Sequence, residues 1–375
     1  MHSFPFCPNP ACIHHEAAPQ GRWFVRLGFY HTKCFGNVPR YRCKTCGHSF
    51  SSQTFSLDYF AKKILDYRQI ERLVSSSMSQ RALSRHFKVS LGTINNRIQR
   101  LSHQSLAMHT LLRPRASHRE PVCIDGFVSF DRSQYFPNNI TISLSAHSQY
   151  ILSLTHATLR RSGRCTDSQK RRKIILYRSL VFEKAALERS FSELLDQLYR
   201  ERCSAYSSPL ILITDEKCEY ARALKLHPSR FSIHHLTVNS KVPRTFQNPL
   251  FASNYLDREL RKDLADHRRE TVCFPRNVAN MLNRLVVYLG WHNYEKPYRI
   301  GRDIVLTHAE VAGIERKAIC KAREKQFQER AFLSRAGLSL LDKKLWLRSF
   351  PTPLKRKAEY VPAYAYACDT LLPNL

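Results

Sequence analysis

Acidic residues are scarce in this chain. Of its 375 residues, 30 are Asp or Glu and 60 are Lys or Arg, so the formal net charge is +30. A cationic excess of this size favours a large polyanion as the partner. The hydrophobic fraction of 43% is enough to build packed cores, which argues against wholesale disorder. The length is typical of two or more domains.

Long apolar runs are also missing. No stretch approaches 18 uninterrupted apolar residues, so the sequence excludes a membrane-spanning helix. The first residues, MHSFPFCPNP, lack a basic segment followed by an apolar one, so we expect no secretory signal. The 12 cysteines are then expected in a reducing compartment, as metal ligands or buried thiols and not as disulfides. Together these features predict a cytoplasmic protein.

The N-terminal cysteines are spaced as two metal-binding pairs. Cys7 and Cys12 form a C-x4-C pair, and Cys43 and Cys46 form a C-x2-C pair. Four thiolates in this pattern suit tetrahedral Zn²⁺, and the aromatic and β-branched segments between the pairs indicate strands. We predict a zinc ribbon over residues 1–55, in which the metal replaces a core that about 50 residues cannot bury alone. The alternative is four unrelated buried thiols. Nearby residues that might substitute as ligands are Cys34, His14, His15, His31 and His48.

Residues 56–112 carry a helix-turn-helix pattern. Apolar residues recur at helical spacing over 57–74, Ser79 is a good N-cap, 89–92 indicates a turn, and 93–101 indicates a second helix. We expect a linker over 111–121, because Pro114 and Pro121 interrupt a helix. The side chains predicted to face outward from the second helix are Thr93, Asn95, Asn96, Arg97, Gln99 and Arg100. Such side chains bond base edges and phosphates, so we predict that this unit binds DNA. The alternative is a three-helix packing unit without such a role.

The second half of the chain has an α/β pattern. Strands are predicted over 121–127, 139–145 and 149–156, then a basic insertion, a helix over 177–202, strands over 209–216 and 231–238, and a long helix over 248–270. This is the element order of a ribonuclease-H-like fold. We assign that domain to residues 113–300.

Three acidic positions stand out in this domain. Asp125 lies inside an apolar strand and Asp215 at the end of another, and in such a fold the two would converge. Neighbouring carboxylates repel each other, and a divalent cation relieves the repulsion. On the long helix, phase places Asp257 on one side of the buried stripe and Glu259 on the other; we favour Asp257 as the third acid and leave Glu259 open. A simple ion pair to Arg261 is the alternative for Asp257. Two Mg²⁺ or Mn²⁺ ions held there would support in-line attack on a phosphodiester.

These motifs carry a family resemblance. Over about the first 300 residues, the chain resembles DDE-type transposases of small bacterial insertion sequences, particularly the insertion-sequence-one type. The most specific stretch, LRKDLADHRRETVCFPRNV, matches a family pattern of Arg followed by Arg-x-Thr-x-Cys-Phe. The matching positions are Arg261, Arg269, Thr271, Cys273 and Phe274.

The resemblance implies a transposase that cuts and joins transposon ends by metal-dependent transesterification. Its implied partners are double-stranded DNA, as terminal repeats and as target, and further copies of the chain in a homo-oligomer. It would work at the nucleoid.

One position departs from the family. The family's third acid lies seven residues before the Arg of the Leu-Arg pair, where this chain has Asn254; Asp257 follows three residues later. This departure keeps a second hypothesis open, a non-catalytic DNA-binding regulator derived from a transposase. An RNA-directed nuclease of the same fold is a third. We expect residues 301–375 to form a basic helix over 309–330 and then an extended tail. The helix is either a solvated face or a surface for phosphate or subunit contact.

Overall fold

A computed structural model describes residues 4–17, 21–117, 119–202, 209–268, 273–299, 301, 305–350 and 352–354. Arg269 and Thr271 of the family pattern lie outside these residues, as does the predicted tail from 355 onward. Within the described residues, no helix has the length and apolar character needed to cross a membrane.

The N-terminal unit is a small antiparallel sheet. A short helix α1 (Ile13–Glu16) precedes strands β1 (Phe24–Thr32), β2 (Gly36–Cys43) and β3 (Ser49–Ser51), which pair in that order. Its separate apolar cluster consists of Cys7, Cys12, Trp23, Tyr41, Cys43 and Phe50. Half of this cluster is cysteine, and the partly buried rings of Phe4, Phe24 and Phe55 pack against it.

Three helices follow: α2 (Tyr67–Val74), α3 (Gln80–His86) and α4 (Leu91–Leu112). Ser79 caps α3 by accepting a hydrogen bond from the Ala82 amide, as predicted. The prediction of a helix from residue 57 is wrong: Phe60 is 89% exposed and has a φ of 52°, and α2 begins only after the Asp66 cap. The second helix is also much longer than predicted. It runs for 22 residues into the expected linker.

A mixed five-stranded sheet forms the centre of the molecule, which confirms the α/β class. Its strands are β4 (Val122–Phe130), β5 (Pro137–Ser145), β6 (Ile151–Thr158), β7 (Leu210–Asp215) and β8 (Ile233–Val238). Their order is β6-β5-β4-β7-β8. The first three strands are antiparallel, and β7 and β8 run parallel to β4, which therefore lies in the middle.

The helices of this region are α5 (Asp167–Tyr177), α6 (Ala186–Arg202), α7 (Cys218–Leu226), α8 (Phe251–Asp263) and α9 (Val278–Tyr294). The single helix predicted over 177–202 is wrong at its start, since α5 occupies the basic insertion and α6 begins at Ala186. The helix predicted over 248–270 is shorter, with 13 residues in α8. Helix α9 packs along α4, and Gly290 permits the close approach because a Cβ there would lie 3.0 Å from Ser105 Oγ.

The C-terminal part adds α10 (His308–Val311), α11 (Arg316–Gln328) and α12 (Leu340–Leu347). A buried ion pair between Arg323 on α11 and Glu71 on α2, at 2.6 Å, ties this part to the helix-turn-helix region. Buried apolar residues from Leu57 to Phe350 belong to one cluster. The core therefore shows no break at the domain limits predicted at residues 112 and 300, which stay predictions.

Candidate functional site

The four predicted cysteine ligands come together. The sulfur atoms of Cys7, Cys12, Cys43 and Cys46 all lie within 4.8 Å of one another. The Cys7–Cys46 and Cys12–Cys43 sulfur pairs are 3.7 and 3.8 Å apart. A tetrahedron with Zn–S bonds of about 2.3 Å has edges of about 3.8 Å, so the group has the dimensions of a zinc–thiolate site. The four cysteines could therefore bind a structural metal such as zinc.

The nearby histidines have other partners. His15 is buried, and its ring nitrogens lie 2.6 Å from the Cys7 carbonyl oxygen and 2.7 Å from Ser334 Oγ. His14 Nε2 is 2.7 Å from Thr45 Oγ1. His15 thus holds the backbone of the first cysteine pair in place through the Cys7 carbonyl group, and it links this pair to the C-terminal part of the chain through Ser334. Neither histidine belongs to the cysteine group, nor do Cys34, His31 and His48.

Sheet register brings Asp125 and Asp215 side by side. Cys123 on β4 is paired with Ile213 on the parallel strand β7. Two residues further along each strand come Asp125 and Asp215, which therefore project from the same face of the sheet. Each side chain is 23% exposed, so both carboxylates are reachable from solvent but partly desolvated.

A lysine that the sequence reasoning did not single out lies between these two acids. Lys217 Nζ is 3.2 Å from Asp125 Oδ1 and 2.8 Å from Asp215 Oδ2. Burial opposes the charge on Lys217, but the neighbouring Tyr220 phenol and the two carboxylates outweigh it, and the pKa of Lys217 is raised. Its ammonium group holds the place that a cation between the two acids would take. The sequence feature that could have indicated Lys217 is its position two residues after Asp215. With 60 Lys and Arg residues in the chain, however, a lysine close to an acid is common.

Asp257, the predicted third acid, lies on the helix that packs across β4. Burial, and then the negative charge of Asp125, raise the pKa of Asp257 to about 7, although Arg261 and Arg244 act against the shift. Glu259 is oriented elsewhere. Its carboxylate bonds Lys262 Nζ at 2.7 Å and Lys296 Nζ at 2.5 Å, and these partners lower its pKa against the effect of burial. The structure thus places Asp257, and not Glu259, near Asp125.

This acidic site keeps unused acceptors. Asp215 Oδ1 is buried without a hydrogen-bond partner among the described residues. Asp125 Oδ1, by contrast, accepts a bond from the Gly126 amide at 2.6 Å as well as from Lys217. Carboxylate oxygens are the donors that Mg²⁺ and Mn²⁺ prefer. The three acids fit such an ion by chemistry, but in the described residues only the cysteines are already gathered closely enough to hold a metal. Lys217 would have to leave before a metal could enter.

The structure corrects part of the predicted DNA-contact set. Arg97 and Arg100 are only 3% and 8% exposed. Arg97 donates to the Lys63 carbonyl at 2.8 Å and Arg100 to the Leu57 carbonyl at 2.9 Å. The prediction that these two arginines face outward is wrong, because the segment before α2 folds across α4 and offers its carbonyl groups. Among the other predicted contacts, Asn96 is exposed and Thr93, Asn95 and Gln99 are partly exposed.

Comparison with known proteins adds no assignment. No protein-family model matches the chain, and no curated protein matches it. The features that bear on function are the arrangement of Asp125, Asp215, Asp257 and Lys217, and the cysteine cluster.

Proposed function

We propose that this protein is a transposase, a metal-dependent enzyme that cuts and joins DNA. The observation that carries the proposal is the pair Asp125 and Asp215 on adjacent parallel strands, with Asp257 beside them. A protein with this positive excess has little reason to cluster carboxylates in a partly buried place except to hold metal at a phosphate. The strand order supports it, since an antiparallel β4–β6 unit extended by two parallel strands is the topology of a ribonuclease-H-like fold.

In this proposal Asp125, Asp215 and Asp257 hold two Mg²⁺ or Mn²⁺ ions. When bound, the ions would activate the attacking oxygen and stabilise the leaving one. Asp257, whose pKa is raised to about 7, must give up its proton to bind metal, and the charge of a bound cation would favour that loss. Lys217, once displaced, stays within a side chain's length of the site and can neutralise a DNA phosphate. Arg244 and Arg261, whose charges reach Asp257, add positive potential for the same phosphates.

The N-terminal half would recognise the element's terminal repeats. The cysteine cluster would hold Zn²⁺ and so stabilise the small sheet. At the N-terminal end of α4, Thr93, Asn95 and Asn96 would provide the side chains that contact DNA. The proposed partners are the terminal repeats, the target DNA and a second copy of the chain, because two ends must be held at once. Such a protein would be associated with the nucleoid.

Strand transfer tests the mechanism. The substrate is a duplex that carries the DNA flanking this reading frame, incubated with Mn²⁺. We expect Asp125→Asn and Asp215→Asn to abolish strand transfer while DNA binding persists, and Asp257→Asn to do the same. Glu259→Gln is the matched control on the same helix and should keep activity. Strand transfer that survives in the Asp125 or Asp215 variant would refute the mechanism.

A non-catalytic DNA-binding regulator is the second candidate. It is favoured by one specific observation, the Lys217 ammonium between Asp125 and Asp215, because a permanent ion pair there would leave no place for metal. Calorimetric titration with Mn²⁺ separates the two candidates. A transposase should show binding that disappears in the Asp125 and Asp215 variants, whereas a regulator should show none that depends on them.

A further inference from the structure

The segment over 159–182, between β6 and α6, carries an extreme local charge. It contains eight Lys or Arg residues and one Asp. Its exposed cations are Arg160, Arg164, Lys170, Arg171, Arg172 and Arg178. We propose that this segment, which we call the basic wing, binds the phosphodiester backbone of duplex DNA next to the catalytic acids. The inference relies on the proposed function for its partner, but it adds a binding surface separate from the acids and from the helix-turn-helix region.

The basic wing is held in a defined position. Tyr135 and Phe136, in the β4–β5 connection, form a small apolar cluster with Phe182 of the wing. The rings of Phe136 and Phe182 are stacked, and the Tyr177 hydroxyl donates to the Tyr135 carbonyl. The Arg161 guanidinium lies over the Tyr135 ring at 5.3 Å. The cations are therefore presented on an anchored support and not on a loose loop.

The wing also forms a concavity, open to solvent, that is lined by cationic side chains. A cavity of about 950 Å³ is lined by Arg160, Arg164, Lys170, Lys173 and Arg178, among a few uncharged residues and without a single acid. Lys170 is paired with the wing's one acid, Asp167, at 2.9 Å, but both side chains are largely exposed, so the pair is weak and a phosphate can compete for the lysine. A concavity rimmed by one sign of charge concentrates counter-ions of the other sign. A phosphate chain is the ligand that matches it.

The position of the wing relates it to the acids. Strand β4 continues five residues past Asp125, from Gly126 to Phe130, and then leads into the segment that anchors the wing. At about 3.3 Å per residue this is roughly 17 Å. B-DNA rises about 3.4 Å per base pair, so the distance corresponds to about five base pairs. A duplex with its phosphate at Asp125 and running along β4 would meet the basic wing within half a turn.

The wing's chemistry favours DNA of any sequence. Arg can read guanine in the major groove, but readout of the other bases needs amide or similar groups that are free to reach base edges. The wing's amide, Gln169, is already used, because its Oε1 accepts bonds from the Thr166 amide at 3.1 Å and from Arg161 at 3.2 Å. Cations then remain as the contacts, and they bind phosphates without regard to sequence. This suits target DNA better than the terminal repeats.

The test is the salt dependence of binding to a duplex of arbitrary sequence, without added divalent metal. The wing variant replaces Arg164, Lys170, Arg171 and Arg172 by Gln. The matched control replaces four exposed cations outside the regions assigned to DNA, Arg200, Arg222, Lys225 and Arg230, by Gln, and so has the same net charge. The slope of log K against log salt is negative, and each lost phosphate contact reduces its magnitude by about 0.9. We therefore expect the slope of the wing variant to be shallower by roughly 3 to 4 units.

The proposal would be overturned if the magnitude of the slope fell by less than one unit in the wing variant, or if it fell in the control variant by as much as in the wing variant. A variant with Arg164, Arg171 and Arg172 changed to Lys keeps the charge and should keep the slope; its loss would also count against the proposal. Tighter binding of duplex RNA than of duplex DNA at equal salt would assign the wing to another partner. Because the assay uses no catalysis, failure of the catalytic mechanism would appear in the strand-transfer variants and leave these slopes unchanged.

Discussion

Lys217 is expected to compete with metal for the acidic site. Replacing it by Met removes the ammonium group that bridges Asp125 and Asp215, so a divalent cation no longer has to displace it. Each hydrogen bond to a charged group contributes about 1.5 to 3 kcal/mol. Lys217 is 33% exposed, so we discount the two bonds by about half. About 2 kcal/mol then remains, which corresponds to roughly 30-fold tighter Mn²⁺ binding.

Isothermal titration calorimetry with Mn²⁺ measures this effect. Lys225→Met is the matched control, because Lys225 is exposed on α7, the helix whose N-cap is Lys217. We expect the Lys217 variant to bind Mn²⁺ 10- to 50-fold more tightly, by about the free energy of the two lost bonds, and the control to bind like the unaltered protein. Adding Asp215→Asn to Lys217→Met should remove the gain. Unchanged or weaker Mn²⁺ binding in the Lys217 variant would refute the reasoning, since it would mean that the ammonium and the metal do not share a place.

Three further predictions concern the fold and the two sites. A methyl group at Gly126 would lie 2.3 Å from Asn139 Oδ1, so Gly126→Ala should lower the free energy of unfolding in urea by about 1 to 3 kcal/mol, and adding Asn139→Ala should restore part of it; no restoration would contradict this account. Elemental analysis should find one zinc per chain, and Cys43→Ser should lose the metal and expose the N-terminal sheet to proteolysis; full zinc content in that variant would rule out Cys43 as a ligand. The pKa of Asp257 is raised from 3.8 to about 7, so its charge destabilises the metal-free fold progressively as pH rises between these values. Asp257→Asn should therefore raise the melting temperature at pH 8 but hardly at pH 4, and an equal change at both pH values would show that the charge is not the cause.

The features that came from the sequence are those with local causes. The cysteine spacing predicted the cluster of four thiols because the geometry of metal ligands imposes that spacing. Asp125 and Asp215 were recognisable because a carboxylate in an apolar strand is costly without a reason. The preference for Asp257 over Glu259 followed from helix phase, and the structure brings Asp257 near Asp125 while Glu259 bonds lysines.

The features that escaped prediction have causes distant in sequence. Arg97 and Arg100 have the helical phase of outward residues, but the carbonyls of Lys63 and Leu57 turn them into buried donors. No periodicity in α4 reports where that earlier segment lies. The start of α2, by contrast, has a local cause. Phe60 matches the apolar period of a helix, but the Asp66 side chain caps the helix and sets its start at Tyr67.

Under the proposed function, helix α4 has a consequence for where DNA would be cut. Its N-terminal end belongs to the helix-turn-helix region, and near its C-terminal end His109 bonds the Leu152 carbonyl of the central sheet at 2.8 Å. The helix has 22 residues, and at about 1.5 Å per residue it spans about 33 Å, close to one turn of B-DNA. In the proposed transposase, a helix of this length would set the number of base pairs between the recognised sequence and the broken bond. One residue inserted into α4 would rotate the helix-turn-helix region by about 100° relative to the central sheet and move it by about 1.5 Å. The proposed enzyme would then still bind its recognition sequence, but a different phosphate would lie at the acids.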